Sequence, residues 1–343
     1  MTVIYAILIF CLLIFVHEFG HFFVAKACDV KVNEFAIGMG PAIWKREKGE
    51  TKYSVRVFPI GGYCTMEGED EDSDDPRAFN RKPVWQRALV LAAGSFMNLL
   101  TCVVLLIIIA FWAGTLTTTL DRIAPGSPAE AAGLQAGDTI VAIDGRAVSE
   151  WSEVIMDLNA DAKGGDNTDK RTVEITVLRD GKTMSFSCKP EYDREQKRYM
   201  IGIQSTSEHH LIDSFGAGIR NTGQMTVMMV SVLKQLFTGE VSVRELSGPV
   251  GIVYAVNTTA KSGVMYVVYL TALLSLNLAI INMIPLPALD GGRLLFLLIR
   301  RITGKRVTDE MEGRIHFIGI MLLMLLMVYV TFNDVIRFIL PIF

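Results

Sequence analysis

Charge is scarce in this sequence of 343 residues. Asp, Glu, Lys and Arg make up 20%, against roughly 25% in an average soluble domain, while 51% is hydrophobic. The charges crowd into the middle and into short loops, leaving long stretches almost without them. That distribution excludes a plain soluble protein and a disordered one. Basic excess is missing too: a formal net charge of -3 leaves no electrostatic footprint for nucleic acid, so no such partner is expected. Cysteine is sparse. Cys11, Cys28, Cys64, Cys102 and Cys188 form no C-x-x-C pair, which argues against a zinc knuckle and a disulfide framework. No Lys or Arg precedes the first apolar run. It therefore reads as a retained span rather than a cleaved leader, although Ala25-Lys26-Ala27 resembles a cleavage site.

What is present, four times over, is apolar helix of membrane length. A hydrocarbon core about 30 Å thick takes roughly 20 residues. Residues 1–27, 89–113, 264–284 and 315–329, the last extending towards 338, meet or approach that length. Residues 225–237 are apolar but short and interrupted by Lys234, which reads as an amphipathic helix at the interface. Lys26, Lys31, Lys45, Arg46, Lys48, Arg77, Arg81, Lys82 and Arg87 follow the first span; Arg293, Arg300, Arg301, Lys305 and Arg306 follow the third. Positive loops face the cytoplasm. The expectation is a multi-pass protein of the inner (cytoplasmic) membrane, in contact with the lipid bilayer, with both termini and the segment 115–263 outside.

The middle segment reads as β-rich. Residues 140–143 form a short apolar strand, residues 171–178 alternate and 182–188 return, with Asp144-Gly145 and Asp180-Gly181 as turns. Residues 123–138 place a helical turn between Gly and Pro punctuation. This run, continued to Gly145, resembles a bacterial PDZ domain over about 120–204. The resemblance implies a peptide or C-terminus held by strand addition; a β-rich spacer is the plainer reading. Cys188 is the only cysteine of the segment, so no disulfide forms within it.

The sharpest chemistry is His17-Glu18-Phe19-Gly20-His21, set inside an apolar run. Residues four apart share a helix face, so two imidazoles can grip one cation while Glu18 projects about 100° away. This is the H-E-x-x-H pattern of zinc metalloproteases. Three ionisable groups within one turn have no use against lipid, where each costs about 3 kcal/mol. A catalytic zinc needs a third protein ligand. His209 and His210 fall on the wrong side of the expected topology, and His316 reads as an interfacial residue of the fourth span. Asp290 follows Pro285 and Pro287, which stop the third helix. On composition alone it reads equally as an N-cap for a helix over 291–300, and the two roles are compatible.

H-E-F-G-H in the first span, together with N-x-x-P-x-P-x-L-D-G-G over 282–292, resembles the site-2 protease family of intramembrane zinc metalloproteases. The PDZ-like insert narrows the likeness to the bacterial regulator-of-sigma-E protease type with one PDZ domain. The resemblance implies His17, His21 and Asp290 as ligands of Zn2+, Glu18 as general base, and Asn282 as a residue steadying substrate or oxyanion. It implies cleavage of single-span membrane proteins, such as anti-sigma-type regulators or remnant signal peptides. It also implies a membrane-associated β-loop at about 33–66. There Tyr53, Val55 and Val57 are the residues expected to add a substrate strand. Asn98, near the start of the second span, is a lesser candidate beside the site. The run from Glu67 to Asp75 is a solvated acidic loop without EF-hand spacing. The segment 247–252 matches a family segment whose role is not derivable from its residues.

The fold class expected is a polytopic α-helical membrane protein of about four transmembrane helices, with a cytoplasmic-side β-loop and an inserted PDZ-like, β-rich domain. The divisions are 1–114, 115–206, an amphipathic linker 207–263, and 264–343. Two rival functions stand beside the protease: a membrane-tethered zinc protease acting on extramembrane chains, and a non-enzymatic PDZ scaffold.

Overall fold

The computed structural model describes residues 2–69, 71–159, 172–193, 198–208, 210–242, 247–304 and 309–339. Asp70, Arg171, His209, Lys305 and Arg306, all invoked above, lie outside them. The chain divides into two compact units, one of Met1–Ile109 with Gly218–Phe343 and one of Ala110–Ala217.

The first unit opens with helix α1, Thr2–Ala27. Strands β1, Val32–Lys48, and β2, Thr51–Met66, follow as a long hairpin. Helix α2, Val84–Ala113, starts five residues before the apolar run because Pro83 sets its first turn while Gln86 and Arg87 keep that turn polar. Helices of membrane length occur four times among the described residues: Ile4–Ala27, Val84–Ala113, Val264–Asn282 and Met311–Phe338. Their outward faces carry exposed Leu8, Leu12, Leu100, Leu322, Leu325 and Val328, a surface suited to hydrocarbon. The protein is thus a multi-pass membrane protein.

The second unit holds strand β3, Thr115–Ile123, helix α3, Pro128–Ala132, strands β4, Thr139–Ile143, and β5, Arg146–Ala147, and helix α4, Trp151–Leu158. Strands β6, Val173–Arg179, β7, Lys182–Cys188, β8, Glu191–Asp193, β9, Arg198–Met200, and β10, Ile203–Glu208, complete it. Its main sheet has the order β10-β3-β4-β6-β7, with β5 paired to β4. Val173, Ile175 and Val177 are buried in strict alternation, as a half-buried strand requires. On β4, Ile140 and Ile143 are both buried although three residues apart, because a register shift between Ile140 and Ala142 inserts the extra residue. Ser127 caps α3 by accepting the Glu130 N–H, Pro128 starts it, and Gly133 ends it in the left-handed conformation. Buried Asp138 is held by the Arg179 guanidinium in a fork, at 2.6 and 2.7 Å.

The interval expected to be an amphipathic linker is more ordered than its composition suggests. Helix α5 covers Leu211–Thr238, well before the expected start at 225; Gly216, Gly218 and Gly223 mask it in the sequence. Helix α6 covers Pro249–Ser262. Its Val256 is fully buried against Ala6, Ile9 and Leu13 of α1. Helix α7, Val264–Asn282, packs Ala272 and Leu276 on Cys102 and Leu106 of α2. Helices α8, Asp290–Thr303, and α9, Asp309–Asp334, follow, the last continued by a π-helical turn, Val335–Ile339. The segment 247–252 now has a structural role. The buried Asp334 carboxylate accepts the N–H groups of Gly248 and Gly251, at 2.9 and 2.8 Å, tying the start of α6 to the last span.

Candidate metal centre

Helical spacing puts His17 and His21 one turn apart on α1. Their rings stand edge to face, 4.8 Å between centroids. The two Nε2 atoms are 3.2 Å apart. Asp290 Oδ2 completes a triangle, 3.2 Å from His17 Nε2 and 3.4 Å from His21 Nε2. Among the described residues these three form a group able to hold a metal ion, with ligand atoms within 4.8 Å of one another.

The donors fit a cation. His21 Nδ1–H donates to the Val90 carbonyl at 2.8 Å, so its Nε2 presents a lone pair to the triangle. Asp290 Oδ2 is buried with no hydrogen-bond partner. A largely buried carboxylate oxygen facing imidazole nitrogens is what a divalent ion satisfies. The Asn98 amide lies 3.3 Å from His17 Nδ1, through its nitrogen, while its Oδ1 is buried without a partner. Turned over, the amide accepts from His17 Nδ1–H and leaves that ring's Nε2 free for a metal. Asn282, the last residue of α7, brings Nδ2 to 3.4 Å from His17 Nε2.

Asp290 is not the N-cap. Leu289 occupies that position without a side-chain bond, and Asp290 is the first residue of α8, its carboxylate turned to the imidazoles. Gly291 explains how the chain arrives there. A Cβ at that position would lie 2.5 Å from the Met283 carbonyl carbon, so only glycine lets residues 283–289 fold over the first turn of α8. Gly94 of α2, to which the sequence assigns no role, does the same for the histidines. A Cβ there would lie 2.6 Å from His17 Cε1 and 2.8 Å from His17 Nδ1, and nearer still to His21 Nε2.

Glu18 interacts electrostatically with both histidines and with Asp290. Its Cγ lies 3.4 Å from where a Gly62 side chain would begin, so the end of β2 runs beside it. The hairpin is folded on itself: residues 34–37 pair both with 52–55 and with 62–65, and residues 44–48 pair with 51–55. This corrects the expectation for Tyr53 and Val55. Val55 stands between Trp44 and Ile37, and Tyr53 between Arg46 and Phe35, so neither is at an open edge where a strand can add. The Tyr53 ring instead packs on Phe22, 6.0 Å between centroids. Val57 is exposed but lies between paired Arg56 and Phe58 on the same strand. The piece facing Glu18, residues 62–65, pairs within the described hairpin on one side only.

Two imidazoles and an adjacent glutamate on a helix of membrane length, joined by a carboxylate at the start of α8, are the donor set of a multi-pass membrane metalloprotease. The model of peptidase family M50 matches residues 5–326. A Clostridium acetobutylicum protein provisionally named a zinc metalloprotease is 38% identical over 337 residues, covering 98% of this chain and 97% of its own. Zinc metalloprotease RasP of Geobacillus kaustophilus is 32% identical, covering 98% of both chains. Regulator of sigma-W protease RasP of Bacillus subtilis is 31% identical with the same coverage. The chain belongs to peptidase family M50, the site-2 protease family, and its cofactor is zinc.

Proposed function

We propose that this protein cuts transmembrane segments of single-span membrane proteins within the bilayer, anti-sigma-type regulators or remnant signal peptides being the substrate class. One observation carries the reading: the His17 and His21 ligand atoms lie inside a helix of membrane length, and Asp290, at the start of α8 just after the third such helix, meets them there rather than in the second unit. A tethered protease for soluble chains has no reason to keep all three ligands there.

His17, His21 and Asp290 would hold the zinc. When bound, zinc supplies Lewis acidity towards water and the scissile carbonyl. Glu18 is the residue that takes the proton from the attacking water and returns it to the leaving amine. The Asn282 side-chain amide is a donor at the same spot, suited to an oxygen gaining negative charge. Asn98 orients His17 and does not meet substrate. A helical substrate exposes no peptide bond until it unwinds. In this reading the unwound stretch pairs with residues 62–65, beside Glu18, in place of Tyr53 and Val55. The second unit, PDZ-like in its sequence, receives a peptide or C-terminus and screens substrates. Lys and Arg bias supports placing it, with both termini, outside the cytoplasm of a cell whose inner membrane holds the protein.

The test is Glu18→Gln in the full chain. The variant is expected to fold and keep zinc, yet to cut a single-span reporter at least about 100-fold more slowly. Unchanged cleavage contradicts the assignment, and cleavage of soluble chains alone favours the tethered protease.

A further inference from the structure

Ala288, two residues ahead of Asp290, has φ +77°. Non-glycine residues occupy that left-handed region only when their surroundings hold them there. Here the holder is the fourth span. The Ala288 N–H donates to His316 Nδ1 at 2.8 Å. One turn on, α9 has no side chain at Gly319. A Cβ there would lie 2.8 Å from the carbonyl carbon and oxygen of Pro287, so the helix leaves a notch for the loop. His316 is itself oriented. Its Nδ1 accepts, so its proton sits on Nε2, which faces Glu312 Oε1 at 3.7 Å. Glu312 is fixed in turn by Arg300 of α8 at 2.6 Å. The Phe296 ring lies 5.4 Å from the His316 ring. The side chain is only 14% exposed, and it lines a polar cavity with Arg300 and Glu312 near the start of the fourth span.

We infer that α9 is the template for the third metal ligand: His316 and Gly319 hold Pro287 and Ala288 in the one conformation that presents Asp290 to His17 and His21. His316 is then a positioning residue for metal binding, on α9, 295 residues beyond His21 of α1. Without its ring the Ala288 N–H loses its acceptor, and the backbone at 288 is free to relax out of the left-handed region. The Asp290 carboxylate then swings, and zinc coordination tolerates only about 0.2 Å of ligand displacement.

The inference rests on the metal-site reading given above, and its test separates the two. Full-length protein in detergent is titrated with zinc against a fluorescent chelator, and unfolding of the metal-free protein is followed in parallel. His316→Ala is expected to weaken zinc binding by about 10-fold or more. His316→Gln, whose amide oxygen can accept the same N–H, is expected to stay within about threefold of the wild type. Ala288→Gly placed on His316→Ala is expected to recover part of the loss, because glycine occupies φ +77° unaided. Gly319→Ala is expected to weaken zinc binding by pushing on Pro287. Zinc affinity within about twofold of the wild type in His316→Ala overturns the inference. So does a His316→Gln protein that folds yet binds zinc as weakly as a His316→Ala protein. If His316→Ala does not fold, Gly319→Ala decides, and unchanged zinc affinity there overturns the inference. A wild type that takes up no zinc contradicts the metal-site reading instead.

Discussion

Replacing Gly94 by alanine adds one methyl group at the point where α2 passes the two histidines. That methyl would lie 2.6 Å from His17 Cε1, and ordinary contact begins at 3.4 Å, so the ring must retreat by about 0.8 Å. His21 Nε2 must move as well. The helices cannot simply part, because His21 Nδ1–H of α1 donates to the Val90 carbonyl of α2, one turn before Gly94, at 2.8 Å in a buried setting. Overpacking of this kind costs about 1–3 kcal/mol of stability, which a folded protein can tolerate. Zinc ligation cannot tolerate it, since the metal requires its nitrogen ligands near 2.0–2.1 Å, within about 0.2 Å. Gly94→Ala should therefore lower zinc affinity by about two orders of magnitude, with cleavage falling in step, while thermal unfolding shifts by only a few degrees. Chelator competition, reporter cleavage and a melting curve on one preparation read all three. Wild-type zinc affinity in a folded Gly94→Ala protein would refute the packing argument.

Three further predictions concern the rest of the molecule. Arg179→Ala strands the buried Asp138 carboxylate and should destabilise the second unit by about 3 kcal/mol; limited proteolysis that cuts it no faster than the wild type contradicts this. Burial works against the Glu34 carboxylate, but donors from Ser54, Arg56, Lys52 and Tyr63 hold its pKa down to about 2. Its contribution, on the order of 2 kcal/mol, is thus complete above the unfolded value of about 4.3 and lost as pH falls towards 2. The stability gap between wild type and Glu34→Gln should close over that window, and a pH-independent gap contradicts the assignment. Asp334→Ala leaves the Gly248 and Gly251 N–H groups without their acceptor and should lower stability by about 3 kcal/mol, read as a fall in melting temperature; an unchanged melt contradicts the clasp.

The spans are legible in the sequence because lipid demands unbroken apolar length, and no packing detail overrides that demand. His17, His21 and Asp290 are legible because ionisable residues inside such runs, and a carboxylate after a proline-broken helix, need a purpose. The structure brings those three together. What stays hidden depends on partners remote in the chain. Gly94 looks like any glycine in an apolar helix until α1 is laid against it. His316 reads only as interfacial, and its bond to the loop before Asp290 shows once that loop is seated on it. Alternation in 53–58 marks a strand but not its neighbours, so it cannot show that Tyr53 and Val55 are enclosed on both sides. Helix α6 is hidden because the role of 247–252 is not derivable from its residues; Gly248, Pro249 and Gly251 form the start of a helix held by Asp334, 83 residues beyond Gly251.

Zinc stoichiometry in the purified full-length protein, wild type beside Asp290→Ala, tests the account at its centre. One zinc ion per chain in the wild type, and loss of nearly all of it when the carboxylate alone is removed, is the predicted result. Undiminished zinc in a folded Asp290→Ala protein would contradict it, placing the third ligand elsewhere in the chain.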